Sequence, residues 1–371
     1  MQNSDKIGSR QFVILVTFIT IGDSILILPS VPATEASHDG WLSGLIGMVL
    51  GLAIVYLFCV VGRIYPEQTL IEKNKLIFGR WIGAFFSLFF LGAILINGAV
   101  YIRTIGEFMT THIMKATPIH AVMFLLVACA IYAVRLGLEA FARTSEIFFL
   151  WFVLTFVTFF LLLSPQFQFE NLFPFLENGF KPVIRGVLSV TAFPFSELVI
   201  ILMITPLLDA KQKLTSAFLR GAIYGGVCLL AVIFLSLLVL GPELVSRETF
   251  PSYSLAKRVQ VGEFFQRQEA MMALMWWFVS IYFKVVLYMY GFCVGIKQLL
   301  HLKEHQPLTL PICILFVAIA IIVVPNEAFL YETYTYWPFF DLTIGFLYPL
   351  ILLVGYWIRK QMNNKPTPLQ K

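Results

Sequence analysis

Charge is scarce in this chain. Asp, Glu, Lys and Arg make up 13% of its 371 residues, where soluble proteins average roughly 25%. So few charges cannot cover a water-exposed globule of this length, which excludes a soluble domain. Cysteine is sparse too: Cys59, Cys129, Cys228, Cys293 and Cys313 all lie in apolar stretches, and no two form a CxxC pair. They read as small packing residues, not as a disulfide framework or metal site. The motifs GxxxxGK[ST], HExxH, GxSxG and a helix-opening GxGxxG are missing, and the few polar residues within apolar runs make no nucleophile and base set. No catalytic residue, metal or cofactor is expected. The opening MQNSDKIGSRQ lacks the short apolar core and small-residue cleavage site of a secretory leader. The first apolar run is therefore expected in the mature protein.

What the chain has is hydrophobic length. Apolar residues are 59% of the total and mean hydropathy is +0.85. Runs of about twenty apolar residues, enough to cross about 30 Å of hydrocarbon, recur at 11–31, 41–62, 81–102, 119–136, 146–164, 183–206, 217–241, 270–299, 308–325 and 338–358. These ten runs predict an all-α polytopic membrane protein. Most of the 26 basic residues, among them Lys6, Arg10, Arg63, Lys73, Lys75, Arg80, Lys211, Lys213, Lys297, Arg359 and Lys360, fall on one alternating set of connections. The bias of basic residues toward the cytoplasm then places both termini inside. The formal charge of +5 is accounted for by that asymmetry and by anionic lipid, so no nucleic-acid partner is expected.

Two apolar runs in matching halves carry helix-breaking polar patches: Ile21-Gly22-Asp23-Ser24-Ile25 ending at Pro29, and Thr191-Ala192-Phe193-Pro194-Phe195-Ser196-Glu197. Lipid cannot satisfy a loosened backbone, so a break at bilayer depth marks protein, water or ligand contact. Ten spans divide five and five into one membrane domain, with inverted repeats of about 10–164 and 183–358 and a flexible tail over 359–371. The broken first helices of the two halves, helices 1 and 6, are expected to face each other near the midplane. The connection 242–269, with Leu255-Ala256-Lys257-Arg258-Val259 and Val261-Gly262-Glu263-Phe264-Phe265, predicts a helix lying along the interface, as a lid or a gate. The aromatic, proline-containing 164–175 predicts an ordered loop at head-group level.

A charge at bilayer depth costs roughly 2.5–3.5 kcal/mol and calls for a partner or a watery cavity. Asp23 either attracts a cation, proton or ligand amine at the end of the first half-helix, or caps the next one. Glu197 follows Pro194, which removes a backbone donor; Ser196 and Glu197 either satisfy neighbouring backbone or face the cavity. Lys284, deep in the eighth run, pairs with Asp23 or Glu197 or snorkels to the interface. Arg103 and Glu107 read as a local i,i+4 pair at the membrane edge, whereas Asn97 and Tyr101 offer hydrogen bonds from within a span. His301 and His305 have a metal-like i,i+4 spacing in a solvated loop, which is weak evidence for a ligand pair.

Three stretches carry a resemblance: Ile21-Gly22-Asp23-Ser24-Ile25-Leu26 with Pro29; Asn178-Gly179-Phe180-Lys181-Pro182 leading to Phe195-Ser196-Glu197; and Phe250-Pro251-Ser252-Tyr253 through Val261-Gly262-Glu263-Phe264 to Phe283-Lys284 and Tyr288. In these the chain resembles the membrane B subunit of nutrient germinant receptors of endospore-forming bacteria, the spore germination permease family. That family is similar to amino acid, polyamine and organocation transporters, which implies a LeuT-like five-plus-five inverted fold. The resemblance also implies residence in the inner membrane of the spore and receptor A and C subunits as partners. A small amino-acid-like germinant is implied at Gly22, Asp23, Ser24, Ile25, Asn97, Tyr101, Phe193, Phe195, Ser196 and Glu197. Backbone N–H groups of Ser24, Ile25 and Leu26 suit a ligand carboxylate, and carbonyls around 192–194 or the carboxylates of Asp23 and Glu197 suit an ammonium. In such folds an ammonium on helix 8 can stand where a sodium ion links helices 1 and 8, so Lys284 is expected to make the protein sodium-independent. Asp23 departs from the family's small or hydroxyl residue, and its carboxylate would repel a ligand carboxylate placed nearby. The expected function is a germinant receptor subunit signalling through its partners; the alternative is a proton-coupled amino-acid permease.

Overall fold

The computed structural model describes residues 6–259 and 268–363. Nine helical stretches among them are long and apolar enough to cross a bilayer. The first crossing is assembled instead from three short helices, α1 (Ser9–Ile21), α2 (Ser24–Ile27) and α3 (Ser30–Ala36). Thirteen residues of α1 rise only about 20 Å, so no single piece spans the hydrocarbon. The remaining crossings are α4 (Gly40–Arg63), then, after the short cytoplasmic α5 (Leu70–Phe78), α6 (Arg80–Phe108), α7 (Ile119–Leu136) and α8 (Leu138–Leu163). The second half holds α9 (Phe180–Phe195), α10 (Leu214–Leu240), the small external α11 (Pro242–Arg247) and α12 (Pro251–Ala256), and α13 (Gln268–Leu299). It closes with α14 (Thr309–Val323), α15 (Glu327–Leu342) and α16 (Tyr348–Asn363).

The first break forms where Gly22 takes φ +36° and ψ −130°, a backbone that a side chain would strain. Pro29 makes a second interruption, since it brings no N–H to bond back into α2. The second broken helix keeps winding. Pro194 sits inside α9, and from Ser196 the chain tightens into a 3-10 helix through Met203, then another over Thr205–Leu207. Runs of 3-10 helix this long are uncommon and mark strain or a hinge. The two interrupted crossings are tied at their cytoplasmic ends: Ile7 N donates to Leu207 O at 2.9 Å and Asp209 N to Ile7 O at 3.1 Å.

Small residues let α1 seat closely. A Cβ on Gly221 of α10 would lie 2.6 Å from Val16 Cβ, and one on Gly225 2.5 Å from Thr20 Cβ. Without a hydrophobic drive between helices in lipid, this close backbone approach is what packs them. The external connection differs from expectation. Instead of one helix along the interface it forms α11 and α12, and Tyr253, Leu255, Ala256 and Val259 are buried while Lys257 and Arg258 are exposed. The apolar stretch is too short to cover a membrane surface, and it packs inward over α2, where Ser252 Oγ donates to Leu26 O at 3.4 Å. Val261–Phe265 lies outside the described residues. The 164–175 loop is ordered by bonds from Gln168 N and Asn171 Nδ2 to Leu238 O, and α16 runs on to Asn363, beyond the expected start of the tail.

Candidate functional site

The first break opens onto α13. Ser280 Oγ donates to Gly22 O at 3.0 Å, satisfying a carbonyl the break releases. One turn on, Lys284 Nζ donates to Asp23 Oδ1 at 2.6 Å and also to Glu197 Oε2 of the second break. The same ammonium lies 4.2 Å from the Tyr101 ring centroid on α6. Lys284 has 0% exposure, which rules out snorkelling, and its stem fills the space in front of Gly22 where a Cβ would collide. Asp23 stands at the N-cap position of α2 but makes no side-chain cap bond; its carboxylate turns to the lysine instead. The backbone is held as well: Tyr288 OH donates to Glu197 O at 3.0 Å, and Tyr101 OH to Tyr288 OH at 3.3 Å.

An unpaired buried charge costs several kcal/mol, so one ammonium shared by two carboxylates and a π face is a mutual requirement of the α1–α2 break, α6, the 3-10 segment after α9, and α13. With all three groups ionised, the cluster keeps one net negative charge. A cavity adjoins it, lined by Asp23, Ser24, Ile27 and Leu28, by Val100 and Tyr101, by Phe193 and Glu197, and by Val324 and Trp337. Its free space is small, about 20 Å3, which holds a water molecule but not an amino acid. Ser24 Oγ lines it and, among the described residues, is buried without a hydrogen-bond partner.

Of the residues expected from sequence, Gly22, Asp23, Ser24, Tyr101, Phe193, Glu197 and Lys284 come together here. Phe195 does not: its ring packs between Gly51 of α4 and Gly226 of α10, because the helical turn from 193 to 195 points it to the opposite side. Ile25 is buried in the core beside the cavity, and Leu26 N donates to Asp23 O at 3.0 Å, which takes up one of the three N–H groups expected to meet a carboxylate. Ser196 backs against Gly345. Asn97 sits deeper, its Nδ2 donating to Asp341 Oδ1 at 3.1 Å, while Asn97 Oδ1 and Asp341 Oδ2 have no partner among the described residues. Arg103 pairs with Glu107 at 2.5 Å, but the pair is buried and Arg103 Nη2 also donates to Pro325 O at 3.1 Å, tying α6 to the chain entering α15. His301 and His305 part company: one contacts Lys75 Nζ at 3.3 Å and the other stacks edge-on against Tyr290.

Sequence reasoning missed Asp341, Trp337 and Val324. Asp341 had a signal, being the one charged residue within the expected 338–358 span; Trp337 and Val324 had none.

An interrupted first crossing and a helix that tightens at Ser196, meeting around a buried ion cluster and a small cavity, define a multi-pass membrane protein of transporter architecture. The fold is similar to the crystal structure of MhsT in complex with L-phenylalanine, at TM-score 0.67 and 13% identity, covering 95% of this chain and 99% of that one. It is also similar to Mhp1, a nucleobase-cation-symport-1 family transporter, in a closed conformation with bromovinylhydantoin bound, at TM-score 0.71 and 8% identity over 96% and 80% of the chains. These likenesses establish a LeuT-like fold. By sequence, the chain belongs to the spore germination protein family, whose pattern matches residues 6–328. Spore germination protein KB of Bacillus subtilis (strain 168) is 29% identical to it over 367 residues, 97% of either chain. Membership of this family and the transporter fold together support a nutrient receptor or permease-like role.

Proposed function

We propose that this chain is the membrane subunit of a nutrient germinant receptor, binding a small amino-acid-like germinant at the first break and signalling through A and C partner subunits. The observation that carries the reading is the Asp23–Lys284–Glu197 cluster beside the unpartnered Ser24 hydroxyl. Lys284 offsets the carboxylate of Asp23, so a ligand carboxylate can approach the N–H groups of Ser24 and Ile25, while the remaining negative charge favours a ligand ammonium. Phe193 and Trp337 must draw apart to admit such a guest. Binding therefore selects a wider conformation, and that population shift is the signal passed to the partners.

The test is binding of an amino-acid and sugar panel to the purified chain, compared with Glu197→Gln. An amino acid should bind, and the variant should weaken it at least about tenfold at equal abundance. Equal affinity in the two proteins would place the ligand elsewhere. A second reading, a proton-coupled permease, draws on the same cluster, since a lysine shared by two carboxylates can pass a proton between them.

A further inference from the structure

A second, larger cavity lies on the cytoplasmic side, far from any use in the reading above. It measures about 520 Å3 and is enclosed by α5, the first turns of α6 and the C-terminal end of α13. Its basic side chains are Lys75, Arg80 and Lys297, beside the imidazole of His301, against a single acid, Glu72. That acid is already engaged: Glu72 Oε2 accepts from Thr69 N at 2.8 Å while Glu72 N donates to Thr69 Oγ1 at 3.4 Å, closing the capping box of α5. Lys75 Nζ donates to His301 Nε2 at 3.3 Å, so the imidazole accepts from the ammonium and holds it in the wall of the hollow. Among the described residues, no carboxylate pairs with Lys75, Arg80 or Lys297.

The convergence is built in. Gly79, at φ +83°, turns the chain sharply from α5 into α6. At Gly83 the two helices touch so closely that a Cβ would sit 2.6 Å from Asn74 O. Lys75 and Arg80 are thereby held on opposite walls of one hollow, and gathering like charges there costs energy unless an anion offsets it. Trp81, at 84% exposure, Ile82 and Phe85 are exposed on the face of α6 turned away from the hollow and mark the level at which this helix enters lipid. A basic hollow at the level of the cytoplasmic boundary meets phosphate from head groups or from solution.

We propose that this hollow binds a phosphate group at the cytoplasmic membrane boundary, with Arg80 as its bidentate partner and Lys75, Lys297 and His301 around it. The phosphate can come from the head group of an anionic phospholipid or from free phosphate in solution. The test uses the full chain in detergent, with phosphatidylglycerol retention read by native mass spectrometry against phosphatidylcholine, and with inorganic phosphate read by thermal shift. The Lys75→Gln, Arg80→Gln, Lys297→Gln triple should lower phosphatidylglycerol binding at least about tenfold. Arg80→Gln alone, at an exposed position, repeats the comparison should the triple be poorly produced. Loss of lipid retention without a phosphate effect assigns the site to lipid; a phosphate shift lost in the variant, with both lipids equal, assigns it to the free ion. The proposal is overturned if neither probe separates variant from wild type. It is equally overturned if Lys211→Gln with Lys213→Gln, basic residues elsewhere on the same face, lowers lipid binding as much.

Discussion

Lys284 is the residue on which the centre of the molecule depends, because two carboxylates from different helices share its ammonium at full burial. Removing one member of a buried ion pair typically costs about 3–5 kcal/mol, since the charge left behind has neither water nor partner. Lys284→Met should therefore lower thermal stability sharply. Adding Asp23→Asn and Glu197→Gln should restore most of it, by removing the orphaned charges. Melting curves of the single and triple variants in the same detergent decide this. A single variant as stable as wild type would show that the cluster is not formed. Gly22 belongs to the same argument: it combines a positive φ with the close passage of the Lys284 stem, so the residue next to the charge matters as much as the charge.

At the scale of elements, α5 is tied to the end of α4 by a buried lysine. Lys73 Nζ donates to Val61 O and Gly62 O, each at 3.2 Å, satisfying carbonyls at the end of α4. Burial pushes its pKa down from the usual lysine range to about 7, and a neutral amine still has two hydrogens for the two carbonyls. Between about pH 7 and the unfolded value of 10.5 the unfolded chain binds more protons than the folded one, so stability should rise with pH across that window. The slope is at most about 1.4 kcal/mol per pH unit. Thermal unfolding of wild type and Lys73→Met over this range should show the rise in the first and its loss in the second. An identical slope in both would mean that Lys73 is charged in place. The external connection around α12 illustrates the other side of element-level reasoning. The mixture of apolar and charged residues from Leu255 to Val259 suits an interface helix, yet α6 and α13 offered a better burial, with Tyr253 edge-on to Phe108 and Trp277.

For the whole molecule, receptor and permease readings share one site and differ in what the conformational change accomplishes. The chain reconstituted alone in liposomes should bind an amino acid without accumulating it when a proton gradient is applied. Robust gradient-driven uptake of labelled amino acid would move the assignment to the permease. The small free space of the cavity is compatible with either, because both require the helices around Phe193 and Trp337 to separate.

The sequence by itself determined the membrane class, the crossings, the first break and the place where the second helix departs from α geometry. Those follow from local quantities: apolar run length, a glycine and prolines where a helix must yield. It also exposed Asp23, Glu197 and Lys284, because a charge within an apolar run is conspicuous wherever it falls. Only the tertiary structure decided that one lysine serves both carboxylates, that Phe195 faces away from the cavity while Phe193 lines it, that Asp341 answers Asn97, and that the external connection folds inward. Each of these depends on how helices distant in sequence are rotated against one another, and that rotation is set by packing contacts no single stretch of the chain contains.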